Sequence, residues 1–513
     1  MSKTSYKRRQ FKKKISWLKR NSPFLIAGVL AAGAIGSGAF YYGQKWKNKD
    51  TIQTTASITA PTEGTGQPSA PGGAAPGIGG GDNGAAPGAY GSTADPAAAA
   101  QQTGQETDAS AGQTGITSDP SVDSLLKEAE LLAAGYDYDG AIERLKSDPL
   151  YGSDSRIEEA ITGYESTKST LVECDIRQVT HVFFHTLIMD NKKAFDGDSR
   201  QNGYNQMMTT KSEFLKILQS MYDRGYVLVR LHDLAYETID ESGAAKFVKG
   251  SIMLPEGKKA FVMSQDDVCY YEYMEGDGFA SRMIIGSDGK PTCEMVMDDG
   301  SISVGAYDLV PLLEEFIREH PDFSYKGARA VIAFTGYNGI LGYRTAASYS
   351  DSPTYEQDRK DAAAVAQCLR DNGWELASHS WGHRNMGTVE YSSFTTDTDK
   401  WEAEVESLIG PTDIILFPFG SDIGDWHPYT DENDRFTYLK SKGFRYFCNV
   451  DSNQYWVQLG NDHLRQGRRN LDGYRMYYDM IETDPEKLKL NDLFDVAEVF
   501  DKDRPTPVPP MGG

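Results

Sequence analysis

At 513 residues the chain is long enough for several domains, but its 51 glycines cluster towards the N-terminus, so average composition hides a division between globular and non-globular parts. The net charge of −22 hides another: residues 1–49 hold 12 Lys/Arg and no Asp/Glu, which leaves the remainder more acidic still. A body that acidic lacks the basic surface that phosphate contacts need, which argues against nucleic acid as a partner and for a neutral or cationic substrate, or one bound through a metal.

Residues 1–22 form a basic tail with nine Lys/Arg, including Lys12-Lys13-Lys14. Phe24 to Tyr42 then carry no charge. As a helix this stretch is roughly 28 Å long, close to the hydrocarbon thickness of a bilayer. Residues 23–43 are therefore expected to be a single-pass anchor, its basic side cytoplasmic and everything after it outside the cell membrane, as in a Gram-positive-type bacterium. The competing expectation is a cleaved signal peptide, since Ser37-Gly38-Ala39 has a small-x-small form. Residues 44–119 are rich in Gly, Ala, Pro, Thr and Ser and predict a disordered linker.

Across residues 120–172, Leu125, Leu126, Ala129, Leu132 and Ala133 recur at helical spacing, and two further helical stretches follow. This resembles a tetratricopeptide-like hairpin with one extra helix, a spacer or a site for a protein partner. Over residues 175–500 apolar runs alternate with amphipathic stretches: VFFHTLI, YVLVR, AFVMS, ARAVIAF, WELAS, DIILFPF and RYFCNV read as strands. Thr210 with Glu213 predicts a capping box opening one of the intervening helices. Such alternation predicts an α/β domain with a parallel sheet, either a barrel or a doubly wound sheet, whose ligands bind at the C-terminal strand ends. The Pro-rich end, residues 501–513, is expected to be a disordered tail. Five cysteines without a CxxC pair predict buried thiols rather than a disulfide framework or a structural zinc site.

The predicted strand ends carry the candidate chemistry. Asp266 and Asp267 follow AFVMS, His379-Ser380-Trp381-Gly382-His383 follows WELAS, Pro418-Phe419-Gly420 follows the next strand, and His185 lies within the first. On one face of a helical turn, a His pair four residues apart suits chelation of a metal. Adjacent aspartates on a regular strand would diverge, so both reach the rim only if the chain leaves the strand there.

These motifs, in this order, resemble the polysaccharide deacetylases, carbohydrate esterases that include the chitin and peptidoglycan deacetylases. The resemblance covers about residues 175–480. It implies a distorted (β/α) barrel of seven strands, Asp267, His379 and His383 as ligands of a divalent metal (zinc is the expected ion), Asp266 as catalytic base, and the Phe419 N–H as oxyanion donor. The substrate it implies is an N-acetylated polysaccharide. Three departures stand out: Gln265 in the first motif, Leu416 where an arginine commonly opens the third, and no late Leu-x-His. The last two are shared with the branch acting on poly-β-1,6-N-acetylglucosamine, whose general-acid histidine lies in the first strand. His185 occupies that place; His463 is the alternative. Trp381, Trp456 and Tyr270 are candidate sugar-facing aromatics. Asp298-Asp299-Gly300, a closer literal match to the first motif, lies between two alternating stretches and predicts a hairpin turn. Two other classes remain open on sequence: a non-catalytic carbohydrate-binding or wall-scaffold protein on this fold, and a glycoside hydrolase using paired carboxylates.

Overall fold

The computed structural model describes residues 120–511. The basic tail, the expected anchor and the expected linker lie outside the described residues. Among the described residues no helix is long and apolar enough to cross a membrane.

Three helices open the described chain: α1 (Pro120–Ala134), α2 (Tyr138–Ser147) and α3 (Ser155–Lys168). Their apolar positions, among them Val122, Leu125, Ala129, Leu145, Ile157 and Ile161, close on a small core of their own. The group is joined to the following domain at the end of α1, where Tyr136 donates its hydroxyl to the Asp322 carbonyl at 2.9 Å and Lys326 N–H donates to the Gly135 carbonyl at 2.7 Å.

Eight strands define the next domain: β1 (Thr180–Phe184), β2 (Tyr226–Leu228), β3 (Lys259–Gln265), β4 (Val331–Phe334), β5 (Glu375–Ser378), β6 (Ile414–Leu416), β7 (Tyr446–Val450) and β8 (Leu464–Asn470). Strands β1 and β3 to β8 pair in parallel in chain order. The ring closes because Arg468 to Asn470 of β8 lie against His181 to Phe183 of β1. The result is a seven-stranded parallel barrel. Short apolar strands of this kind are buried on both faces, which is why they read as continuous rather than alternating runs.

Two of the strands differ from the sequence reading. YVLVR is not a barrel stave: of the staves, β2 pairs with the start of β3 alone, and β4 takes over that edge at Ser264 and Gln265. The seventh stave is LRQGRRN, whose polar composition conceals a strand buried almost throughout. Its arginines are tolerated because each is paired: Arg465 with Asp422, Arg468 with Asp266 and Arg469 with Asp492.

Around the barrel lie α4 (Lys211–Asp223), α5 (Leu309–Glu319), α6 (Tyr355–Asp371), α7 (Tyr391–Trp401), α8 (Asp434–Ser441) and α9 (Gly473–Ile481). The expected capping box is present at the start of α4, and Leu309, Leu312, Leu313, Phe316 and Ile317 form the buried stripe of α5. Asp298 to Gly300 form the turn between two antiparallel strands, with Val296 opposite Ile302, in the hairpin predicted for them.

The C-terminal stretch departs from its expectation as a disordered tail. Residues 501–511 pack on the domain, with Val508 and Arg504 buried. The Arg504 guanidinium pairs with Glu213 and donates to the Asn205 carbonyl at 2.9 Å and the Met208 carbonyl at 3.0 Å. Read alone the Pro-rich run looks loose, because the partner of its buried Arg504 lies 291 residues away in the sequence.

Candidate active site

Because the staves are parallel, the residues after β1, β3, β5 and β6 meet at one rim. Nine described non-glycine residues have positive φ, and five of them sit here: Asp267 (59°), Tyr270 (45°), Ser380 (58°), His383 (48°) and Phe419 (58°). Left-handed backbone at such residues costs of the order of 1–3 kcal/mol each, and concentrations of it mark sites where side-chain placement overrides local preference. At Asp267 its effect is direct. The chain leaves β3 immediately after Gln265, and the left-handed turn brings two adjacent carboxylates to the same rim instead of opposite faces.

Donor atoms of Asp267, His379 and His383 all lie within 4.8 Å of one another. His379 is buried, and its Nδ1–H donates to the Leu416 carbonyl at 2.7 Å, which leaves Nε2 as its free donor atom. Asp267 is oriented in the same manner: the Tyr271 hydroxyl donates to its Oδ1 at 2.7 Å, and Oδ2 faces His383 Nε2 at 3.6 Å. Burial holds His379 below its ordinary pKa, in the neutral form a metal requires. Two imidazole nitrogens and one carboxylate oxygen, each fixed by an outer hydrogen bond or packing contact, form a donor set suited to a divalent ion with positions left open.

The two histidines do not share a helical turn, contrary to expectation. Residues 379–385 form an irregular loop. It is shaped by the buried Asp397, which accepts from the N–H groups of Trp381 at 2.7 Å and Gly382 at 2.9 Å, and by Ser380, whose hydroxyl accepts from Arg384 N–H at 2.9 Å. The four-residue spacing serves chelation here through side-chain-anchored turns.

Asp266 lies beside this group, with Oδ2 at 3.8 Å from His379 Nε2. Its other oxygen receives Nη1 of Arg468 at 2.6 Å, and both side chains are fully buried. Burial opposes ionisation of Asp266, but the Arg468 guanidinium overcomes it and holds the carboxyl at about 2. Below this pair a polar column runs into the barrel. Arg468 Nη1 also reaches Ser264 Oγ at 3.3 Å, Ser264 Oγ is 2.9 Å from His181 Nε2, and His181 Nδ1 is 3.0 Å from Gln466 Oε1. Burial and then the nearby Arg468 push His181 down to about 3, so it remains neutral and adds no second positive charge. Leu416, where the resemblance expects an arginine, contributes only its carbonyl; the guanidinium of the site arrives from β8, a strand absent from the sequence reading.

His185 stands just past the end of β1, half-buried, with Nδ1–H donating to the Met207 carbonyl at 3.1 Å. It is close enough to help lower both Asp266 and Asp267 electrostatically. Phe419, in its left-handed turn after β6, presents its ring edge to His383 with centroids 4.5 Å apart. The alternative acid, His463, is buried among Tyr429, Phe436 and Phe447 and bonded to Asp462, which makes it a core residue of another region.

Two expected sugar-facing aromatics are placed otherwise. Tyr270 is buried with its hydroxyl on Asp308 at 2.8 Å, because its positive φ turns the ring inward. Trp381 has Lys400 Nζ over its ring at 3.3 Å and donates its indole N–H to Glu404 at 3.1 Å, so both its face and its polar edge are engaged. Trp456 lies beyond β7, half-buried against the Arg465 guanidinium. The aromatics that do adjoin the ligand set include a stack overlooked in sequence. Tyr271 lies between Tyr273 and Tyr337, with ring centroids 5.2 and 5.3 Å apart and interplanar angles of 12° and 16°.

No protein-family model matches the chain, and no curated protein matches it. Among solved structures, it is similar to a Streptococcus pyogenes deacetylase determined with acetate (12% identity, TM-score 0.31, covering 58% of this chain and 93% of that one). It is also similar to a de-N-acetylase from Aggregatibacter actinomycetemcomitans (13%, TM-score 0.33, 62% and 99%) and to a polysaccharide deacetylase from Bacillus cereus (12%, TM-score 0.31, 63% and 70%).

Proposed function

We propose that this chain is a metal-dependent deacetylase that removes acetyl groups from an extracellular polysaccharide containing N-acetylglucosamine and releases acetate. One observation carries the reading: the donor atoms of Asp267, His379 and His383 converge within 4.8 Å, with Asp266 alongside them. A divalent ion held there, zinc by the chemistry of the donor set, would supply Lewis acidity to a water and to the acetamide oxygen.

The remaining chemistry belongs to the protein. Asp266, kept ionised by Arg468, accepts the proton of the water whose oxygen bonds to the acetamide carbon. The Phe419 N–H donates to the carbonyl oxygen as negative charge develops on it. As the carbon–nitrogen bond breaks, His185, acting as the imidazolium with its Nδ1–H committed to Met207, gives its Nε2 proton to the departing amine and is left as the neutral Nδ1–H ring. Acetate and a free glucosamine unit result. Phe419, edge-on to His383, and Trp456, beyond β7, are the aromatics assigned to the sugar. The uncharged stretch at residues 24–42 and the Gly/Pro-rich segment after it support tethering of this domain outside the membrane.

The test is acetate release from β-1,4- and β-1,6-linked N-acetylglucosamine oligomers and wall glycan, with metal content measured in parallel. Chelation and His379→Ala should each abolish both metal retention and acetate release. Acetate production by a metal-free His379→Ala protein would overturn the assignment.

A further inference from the structure

The C-terminal segment that packs on the domain reaches the stretch of backbone that holds a residue of the site. Arg504, itself buried, spreads its guanidinium over the backbone of residues 205–208: Nη1 donates to the Asn205 carbonyl at 2.9 Å and to Asn205 Oδ1 at 3.1 Å, and Nη2 donates to the Met208 carbonyl at 3.0 Å. Between those two carbonyls lies that of Met207, the acceptor for His185 Nδ1–H. The clamp is anchored from both sides. Glu213 accepts Arg504 Nε at 3.0 Å and the Asp501 N–H at 3.0 Å, while Asp501 accepts from the Thr210 hydroxyl at 2.8 Å and from Asn191 Nδ2 at 3.0 Å. Asn205 returns a bond from Nδ2 to the Pro505 carbonyl at 2.8 Å. Opposite, Gly473 leaves the room this clamp occupies: a β-carbon there would lie 2.2 Å from the Asn205 carbonyl oxygen and 2.3 Å from Arg504 Nη1.

We propose that Arg504 and the segment carrying it position His185 for its role in amide cleavage, by fixing the Met207 carbonyl that orients the imidazole. A buried Arg–Glu pair is not needed for stability as such, since apolar replacements of similar volume often do as well. Here the guanidinium spends two of its donors on carbonyls that bracket the acceptor of a rim histidine. With Nδ1–H held by Met207, only Nε2 is left to exchange a proton with a substrate. Loss of that bond lets the ring rotate and its tautomers mix. Arg504 touches no reacting atom and acts through His185. The inference rests on His185 being the proton donor of the proposed reaction.

Two substrates separate positioning from mere support. Cleavage of the sugar acetamide needs a proton delivered to the amine, whereas p-nitrophenyl acetate has a leaving group that departs unprotonated. In the full-length chain, Arg504→Lys keeps a cation on Glu213 but cannot bracket both carbonyls, and Asn205→Ala weakens the clamp more gently, deleting the side-chain bonds to Arg504 and to the Pro505 carbonyl while leaving the backbone carbonyl in place. Arg504→Lys should lower kcat on the N-acetylglucosamine oligomer by about tenfold or more, with the 10²–10⁴-fold that general acids contribute as the upper bound. KM, bound metal and turnover of p-nitrophenyl acetate should stay near wild type, and Asn205→Ala should do the same to a smaller degree. In parallel, ¹⁵N signals of His185 recorded at high pH, with the ring neutral, should show the remaining proton on Nδ1 in the wild type and a mixture of tautomers in both variants.

Equal losses on both substrates, or unaltered His185 signals, would overturn the proposal, as would unchanged oligomer turnover. Should Arg504→Lys fail to fold, Asn205→Ala and the histidine spectrum still decide it. Failure of the deacetylase reading would show separately, as absence of acetate release by the wild-type chain, while the histidine spectrum would still report whether the clamp orients His185.

Discussion

Arg468 and Asp266 are 202 residues apart in sequence and form a 2.6 Å ion pair with both side chains fully buried. Removing one partner of such a pair strands the other charge, at a cost of about 3–5 kcal/mol. Arg468→Met should therefore lose stability of that order in chemical denaturation, and Arg468→Met/Asp266→Asn should recover much of it. The pH consequence has a definite sign. Asp266 is held at about 2, below its ordinary 3.8, so its contribution to stability is present above 3.8 and lost as pH falls towards 2. Without Arg468 burial dominates, and the acid limb of the rate profile should move to higher pH. An acid limb unchanged in Arg468→Met would refute this account of the base.

Tyr271 offers a test of ligand orientation. Its hydroxyl bridges Asp267 Oδ1 and Thr335 Oγ1, each at 2.7 Å, while its ring stays within the three-tyrosine stack. Tyr271→Phe preserves the stack and deletes only the hydrogen bonds. Metal affinity, read by competition with a chromogenic chelator, should fall about 10- to 100-fold, the usual effect of losing an outer-sphere partner. Unaltered affinity would mean that the turn at Asp267 alone orients the carboxylate.

Gly420 has φ +63°, and a β-carbon there would lie 2.2 Å from Cβ of Val450. Gly420→Ala must shift the turn that carries Phe419. We expect a stability loss of about 1 kcal/mol or more. Oligomer turnover should fall by up to about a hundredfold, the scale at which displacements near 1 Å affect a reacting geometry. Metal content should be normal, because none of the ligands lies on that turn. A variant with wild-type turnover would remove Phe419 from the mechanism.

Far from the rim, at the opposite ends of the staves, His232 Nδ1 pairs with Glu375 and its Nε2 lies 3.0 Å from Asp413 Oδ1. Burial alone would push the imidazole down, but hydrogen bonds to Asp413 and Glu375 override it and raise it to about 10. A raised histidine stabilises fully below its unfolded value of about 6.5, and that contribution is lost as pH climbs through 10. Denaturation midpoints should therefore decline between pH 7 and pH 10 more steeply in the wild type than in His232→Gln. Parallel declines would show that the pairing contributes nothing in this window.

Much of the barrel was legible because its staves are short apolar runs, and the rim residues could be found by reading the few positions directly after each stave. The last stave was not legible. LRQGRRN has three arginines whose partners lie 43, 202 and 23 residues away, so neither periodicity nor composition marks it as buried. Arg468 was overlooked for the same reason. Arg504 poses the problem again, since Glu213 reads correctly as a capping residue while its second task depends on a residue 291 positions later. Tyr270 shows the converse error. Adjacency to Asp266 and Asp267 suggested a place at the rim, but a single left-handed dihedral directs the ring into the core.

Closing the ring on Arg468 ties chemical competence to completion of the fold. His185 follows the first stave, Asp266 the next, and the guanidinium that keeps Asp266 charged comes only with the final one. A nascent or partly opened chain can possess every residue of the ligand set and still lack a working base. On the proposed mechanism, catalytic power is withheld until the last strand docks, and any lesion that springs this seam should silence the protein before it unfolds the rest.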